Sequence, residues 1–440
     1  MDPKRTKTII TLALPIVGGM ISQNVLNLVD TAMVGTLGAV TLGAVGMASF
    51  ATFMSTAFIT ALGAGVQAMS ARRLGEGKID ETAIPLNGGL LLAVLLGVPV
   101  AVLMWFLSPT IFELLSSDPE VAEIGIPYWK ARLFGIVAVG MNFGFRGYWN
   151  GINRSGLYLR TLILMHVVNI GLNWVLIFGH LGAPALGATG AGIGTTISIC
   201  FGTLYYFYLG RRYAKDAGFL AGIPNAETLK SMLRLSVPSG IQQLFFAGGM
   251  TALAWIVGRV GTEELGAVNV LLNVTMVALL PGLGLGLVAA SLVSQALGRG
   301  EPDDARRWAW DVVWVGVVLL GCLGLPMLLF PELILGVFII EPHVIELAAG
   351  PLRVSGATIA MEGMGMVLLN ALIGAGDTRR VMVVSVAMQW LLFLPAAYVI
   401  GPKLGYGLIG IWVANVVYRG GQSFVFAGLW RGGKWASIKL

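Results

Sequence analysis

Asp30 is the only ionisable side chain between Ile9 and Val34, in the run IITLALPIVGGMISQNVLNLVDTAMV. A charge at the centre of a hydrocarbon-spanning helix costs roughly 2.5–3.5 kcal/mol on insertion scales, so such a carboxylate faces protein or a water-filled cavity and handles an ion, a proton or a cationic solute. Gln23, Asn27 and Asp30 are spaced i, i+4, i+7, one face of a helix. His166, Asn169 and Asn173 are spaced i, i+3, i+7 in a later apolar run. Gln242 and Gln243 follow Ser239 in a third, and Glu362 lies among Met361, Met364 and Met366 in a fourth. Either carboxyl could load and release a proton, and with Asn and Gln carbonyls either could instead bind a hard cation such as sodium. Oxygen ligands alone leave both chemistries open.

Plainer roles compete with these. Asn and Gln in membrane helices often serve only as interhelical hydrogen-bond glue, the role we expect for Asn269 and Asn273 and an even alternative for Asn169 and Gln242. His166 is expected to pack and hydrogen-bond rather than relay protons. Phe245, Phe246 and Met361 are candidates for a cavity that repacks around varied ligands. GAGIG at 190–194 and GLGLG at 282–286 follow no strand and read as packing glycines rather than a dinucleotide loop. No G-x-x-x-x-G-K-[ST] or H-E-x-x-H occurs, so neither an ATP-binding loop nor a metallohydrolase, and no enzyme, is expected.

These side chains need helices to hold them. Of 440 residues, 56% are hydrophobic and 11% charged, with mean hydropathy +0.83, against about 25% charged in soluble domains. Apolar runs of about 20 residues, enough to cross a ~30 Å hydrocarbon core as a helix, recur throughout. The alternating segments of about ten residues that make a β-barrel do not. The fold class is an all-α polytopic membrane protein, with twelve spans expected near 9–34, 43–69, 84–107, 122–147, 160–179, 187–209, 232–257, 266–293, 309–330, 346–371, 380–400 and 405–430.

Cations cluster at alternate span ends: Lys4, Arg5 and Lys7; Arg72, Arg73 and Lys78; Arg211, Arg212, Lys215, Lys230 and Arg234; and, near the end, Arg419, Arg431, Lys434 and Lys439. The opposite loops carry acids such as Asp118, Glu120 and Glu123. Positive-inside bias then predicts both termini in the cytoplasm of an inner- or plasma-membrane protein, and explains the net charge of +6 without nucleic acid. The basic opening MDPKRTK leads into an apolar run too long for a signal peptide, so a retained first helix is expected. Cys200 and Cys322 fall inside predicted spans, where neither a disulfide framework nor a metal cluster is expected.

The chain also repeats itself. Pro15 falls on Pro238, a shift of 223 residues, and the same shift carries Gly35 to Gly258, Leu42-Gly43-Ala44-Val45 to Leu265-Gly266-Ala267-Val268, and Gly77 to Gly300. Six spans per repeat make the repeats parallel, related by an axis along the membrane normal. The expected division is an amino-terminal lobe at 1–209, a polar linker at 210–230 and a carboxy-terminal lobe at 231–440. Mid-helix Pro15 and Pro238 could act as pivots. Asp30 falls on Leu253 and Glu362 on Val139, so the carboxylates are not duplicated.

LALPIVGGMISQNVLNLVDTAMVGTLG, its counterpart LSVPSGIQQLFFAGGMTALAWIVGRVG, and the loops RGYWNGINRSG and LNALIGAGDTRR together resemble the MATE (multidrug and toxin extrusion) transporters of the MOP flippase superfamily, over nearly the whole chain. The resemblance implies two six-helix lobes around a V-shaped cleft. It also implies a secondary antiporter that exchanges H+ or Na+ for amphipathic, often cationic, drugs or toxins. Asp30 would be the coupling carboxylate, and Glu362 matches the acid of the tenth helix in NorM-like members; sodium would sit at one of the two. Phe246 stands where NorM-like members carry a helix-seven glutamate, and Asn173 where DinF-like members carry an aspartate, so neither branch is matched in full. No cofactor beyond the coupling ion and no ATPase partner are implied, and a monomer in membrane lipid is expected. The alternative is a lipid-linked saccharide flippase of the same superfamily, which would need cations where these spans offer acids and amides.

Overall fold

The computed structural model describes residues 2–116 and 118–440. Its first half runs α1 (Pro3–Gly35), α2 (Ala39–Thr60), α3 (Leu62–Gly75), α4 (Ile84–Leu115), α5 (Pro119–Leu133), α6 (Ile136–Gly151), α7 (Ser155–Phe178) and α8 (Gly187–Tyr213). The second runs α9 (Ala226–Gly258), α10 (Thr262–Gly298), α11 (Pro302–Leu329), a short α12 (Pro331–Leu335), α13 (Pro342–Ala375), α14 (Thr378–Ala387), α15 (Leu394–Tyr398) and α16 (Gly407–Arg431). π-Helical turns at Met388–Phe393 and Val399–Lys403 join α14 and α15 into one rod. No strand occurs among the described residues.

Among the described residues, nine of these rods are long and apolar enough to cross a membrane. The α5–α6 rod, α8 and α16 complete the twelve; glycine and arginine dilute their apolar surface, as in GATGAGIG at the start of α8. The duplication carries into the backbone. α1 and α9 are both 33 residues long with the proline at the matching place, and the 223-residue shift carries Ala39 to Thr262, Pro119 to Pro342 and Ser155 to Thr378, each the first residue of a helix. Gly77 and Gly300 end the second rod of each half at φ 76° and 75°, a left-handed conformation in which a Cβ is strained.

The chain divides into two compact units, one of residues 18–240 and one of 1–17 with 241–440. Both boundaries fall inside a helix, just past Pro15 and Pro238. In the first unit, α3 and α6 touch backbone to backbone: a Cβ on Gly147 would run into Gly63 O, and one on Gly151 would lie 2.8 Å from Gln67 O. Small residues permit this approach where lipid supplies no hydrophobic drive between helices. Asn87 at the start of α4 ties down the 214–225 connection, donating to Gly218 O at 2.8 Å and accepting from Leu220 N at 2.9 Å. The second unit packs Leu253, Leu271, Leu320, Leu352 and Trp412 into one apolar core, with Gly324 against Gly356 O and Gly374 against Ala290 O. Arg5 is held there by Asp304 at 2.7 Å, Asp311 at 2.6 Å and the face of Trp308 at 3.8 Å. The GLGLG glycines pack too: Cβ atoms on Gly282 and Gly284 would lie 2.9 Å from Leu320 and 2.6 Å from Val17.

Candidate functional site

In the 18–240 unit the two polar helix faces meet. Helical periodicity places Gln23, Asn27 and Asp30 along α1 and His166, Asn169 and Asn173 along α7, and rungs of hydrogen bonds join them. Ser22 Oγ lies 2.7 Å from His166 Nδ1, and Gln23 Oε1 lies 3.3 Å from His166 Nε2. Gln23 Nε2 donates to Asn27 Oδ1 at 3.1 Å. Deeper along the pair, Asn173 Nδ2 donates to Asp30 Oδ1 at 2.9 Å and to Asn169 Oδ1 at 3.2 Å. Asn169 Nδ2 passes the chain to α8, donating to Thr195 Oγ1 at 3.2 Å and Ser198 Oγ at 3.3 Å. Thr195 closes it on Ala191 O at 2.8 Å.

Asn169 and Asn173 are fully buried and Asp30 half-buried. Asn173 Oδ1 is buried and accepts no hydrogen bond from the described residues. A buried carbonyl oxygen without a donor costs about 1–3 kcal/mol, so this oxygen keeps acceptor capacity to spare. The chemistry of the donor set suits a small monovalent cation: one carboxylate for charge, and Asn169, Asn173 and Thr195, which supply neutral oxygens, linked to it by hydrogen bonds. It fits a proton equally, carried on Asp30. Arg132 on α5 is the cation whose charge reaches Asp30.

The approach of α8 to α7 depends on Gly190 and Gly194, and its approach to α5 on Gly192. A Cβ on Gly190 would run into Leu176 O, one on Gly192 would lie 2.9 Å from Tyr128 O, and one on Gly194 would overlap Asn173 Oδ1. Packing glycines here bring α8 hydroxyls within reach of the α7 amides.

The remaining sequence-predicted residues gather in the other unit. Gln242 Nε2 donates to Ser385 Oγ at 3.2 Å, Gln389 Nε2 to Phe246 O at 3.3 Å and Trp390 Nε1 to Phe245 O at 3.0 Å, with Gln243 half-buried in the same turn of α9. Met361 and Glu362 lie on α13, both half-buried. Arg353 pairs with Glu332 at 2.6 Å and not with Glu362. Asn269 and Asn273 do not act as interhelical glue: both are exposed on α10 and donate to carbonyls of their own helix, Leu265 O and Asn269 O. Arg419 is also misplaced by a reading of basic clusters as span ends. It stands about twelve residues from either end of α16, in mid-helix.

Thr195, Ser198, Ser22, Arg132, Ser385 and Gln389 went unnoticed in the sequence. Thr195 and Ser198 have one faint signal, hydroxyls three apart in GIGTTIS on a helical face.

The MatE family model matches residues 15–175 and 238–399. The chain is similar to the probable multidrug resistance protein NorM of Mannheimia succiniciproducens, 26% identical over 420 residues that cover 93% of this chain and 90% of the relative. It is 28% identical over 427 residues to the probable multidrug resistance protein NorM of Synechococcus sp., covering 92% and 89%. Among solved structures it resembles an outward-facing multidrug resistance MATE family transporter of the MOP superfamily, with a TM-score of 0.89 and 22% identity over 97% of this chain and 95% of that one.

Proposed function

Matched in both halves, the chain belongs to the MatE family and is a multidrug efflux transporter of that type rather than an enzyme; from this we propose a secondary antiporter that exchanges an external cation, H+ or Na+, for amphipathic, often cationic, small molecules. Asp30 is the coupling carboxylate. The observation that carries this is the chain from Asp30 through Asn173 and Asn169 to Thr195, with the unsatisfied Asn173 oxygen inside it. Cation binding neutralises Asp30 and re-pairs those amides, so bound and empty forms hold α1 against α7 and α8 differently. Such a difference in affinity between two states is what coupling requires; tight binding alone shifts nothing. Glu362 is the second acid of the transport cycle. The protein works as a monomer in an inner or plasma membrane, with cytoplasmic termini.

Ethidium transport in proteoliposomes, with proton and sodium gradients imposed separately, tests this reading. One gradient should drive uphill export, and Asp30→Asn should reduce it to the leak rate while the dye still binds. If neither gradient moves dye through folded protein, the antiporter reading fails, and transport of lipid-linked saccharide becomes the assay.

A further inference from the structure

α16 carries a mid-helix charge that coupling at Asp30 leaves unused. Arg419 is roughly 18 Å from either helix end, and Glu362 stands about thirteen residues, roughly 20 Å, before the end of α13. Two contacts set these helices in register. A Cβ on Gly420 would lie 2.6 Å from Met361 Cε, and one on Gly365 would run into Ser423 Oγ. Glu362 and Arg419 adjoin those contacts, and Arg419 is the cation whose charge reaches Glu362. The two side chains nevertheless form no ion pair, and neither makes a side-chain hydrogen bond to any described residue. The guanidinium lies instead over the rings of Phe246, at 5.7 Å, and Tyr418, at 5.4 Å.

Opposite charges within a membrane helix bundle usually pair with one another, and a half-buried acid and base left apart each keep room for a partner. A pair held open in this way is completed by a ligand that carries both charges. We propose that Glu362 and Arg419 form a binding subsite for zwitterionic amphiphiles. Arg419 takes the carboxylate, which its planar fork matches in two parallel hydrogen bonds. Glu362 takes the cationic nitrogen, and Phe246, Met361 and Tyr418 take the apolar body. A bare cation gains Glu362 and is repelled by Arg419, so the subsite discriminates by the ligand's carboxylate. That the ligand is cargo rests on the antiporter reading; that it binds here does not.

Rhodamine B and its ethyl ester differ in that one group: the free acid is a zwitterion at neutral pH and the ester a cation. Fluorescence anisotropy on the purified full chain in detergent reads both affinities. Wild-type protein should bind the acid about tenfold more tightly than the ester, the scale of charge-assisted hydrogen bonds. Arg419→Gln should erase that preference by weakening the acid about tenfold with the ester changed less than about twofold, and Arg419→Lys should keep part of it. Glu362→Gln should weaken both dyes. Equal wild-type affinity for acid and ester, or equal loss of both in Arg419→Gln, overturns the proposal. The wild-type comparison decides even if a variant misfolds. Gradient-driven export of the ester from proteoliposomes separates the two readings: acid preference without export leaves the subsite and removes the antiporter, and export without acid preference does the reverse.

Discussion

Gly194→Ala asks whether the Asn173 amide must stand where it does. In an unobstructed helix interior, glycine to alanine gains about 1 kcal/mol of helix propensity. Gly171 on α7 has nothing within 4 Å of where its Cβ would lie, so Gly171→Ala is the control. At Gly194 the added methyl overlaps Asn173 Oδ1 and lies 3.4 Å from both Asn173 N and Leu172 Cβ. Asn173 is 0% exposed, so its amide has no open space to enter and must rotate within the site. Rotation breaks the 2.9 Å bond to Asp30 and the 3.2 Å bond to Asn169. A hydrogen bond to a charged group contributes about 1.5–3 kcal/mol, and overpacking costs about 1–3 kcal/mol, either of which outweighs the propensity gain. With about 1.4 kcal/mol per factor of ten, the concentration of driving cation that half-saturates dye export should rise about tenfold or more. Tryptophan-fluorescence melts should show Gly171→Ala at or above wild type and Gly194→Ala below it. Wild-type half-saturation in both variants would mean that Asp30 does not depend on Asn173, and the site would have to be sought elsewhere.

Two further outcomes follow from groups at helix ends. Asn87→Ala removes the 2.8 Å and 2.9 Å bonds that hold Gly218 and Leu220, the latter at a φ of 57°. At about 1 kcal/mol each, amides of 218–222 should exchange hydrogen roughly thirtyfold faster, and unchanged exchange would show that the connection is held by something else. Burial pushes the Asp377 carboxyl above its usual value, and Arg380, at 3.0 Å, offsets only part of that rise. The fold therefore favours the protonated acid, and stability falls as pH rises from the unfolded value of about 4 through the higher folded one. Asp377→Asn should melt higher than wild type near neutral pH and no higher near pH 4; an equal difference at both would exonerate the carboxylate.

Where helical spacing alone decided the geometry, the sequence was readable. Gln23, Asn27 and Asp30 share a face because 3.6 residues make a turn, and the duplicated prolines and glycines announce rods that begin at matching residues. Partners across helices were not readable. Thr195 and Ser198 look like any hydroxyl in a membrane helix, bonding their own backbone as such groups mostly do; only the approach of α8, cleared by Gly190 and Gly194, lets them also accept from Asn169. Asn269 and Asn273 show the converse, for their amides look like glue and bond within α10. Arg419 was misread because charge counting groups it with Arg431, Lys434 and Lys439, although the span expected at 405–430 already holds it in mid-helix, as α16 does.

The two halves share their rods but not their chemistry, and the difference reaches beyond the carboxylates. Shifted by 223 residues, Asp30 becomes Leu253, Asn169 becomes Leu392, Asn173 becomes Ala396 and Thr195 becomes Tyr418. Leu253 is 2% exposed within an apolar core, and the rod that should mirror α7 is broken by π-helical turns on both sides of Ala396. A buried carboxylate that loses its amides is an uncompensated charge, and amides that lose their carboxylate are unsatisfied polar groups. Neither partial set is stable in hydrocarbon, so the constellation is kept or lost as a whole. Thr196 maps in the same way onto Arg419. In the first half that position donates a hydroxyl to Ala131 O and only joins two helices; in the second it carries a guanidinium beside Glu362. The backbone repeat thus supplies equivalent places, and the side chains make the first the proposed cation site and the second an acid and a base left unpaired.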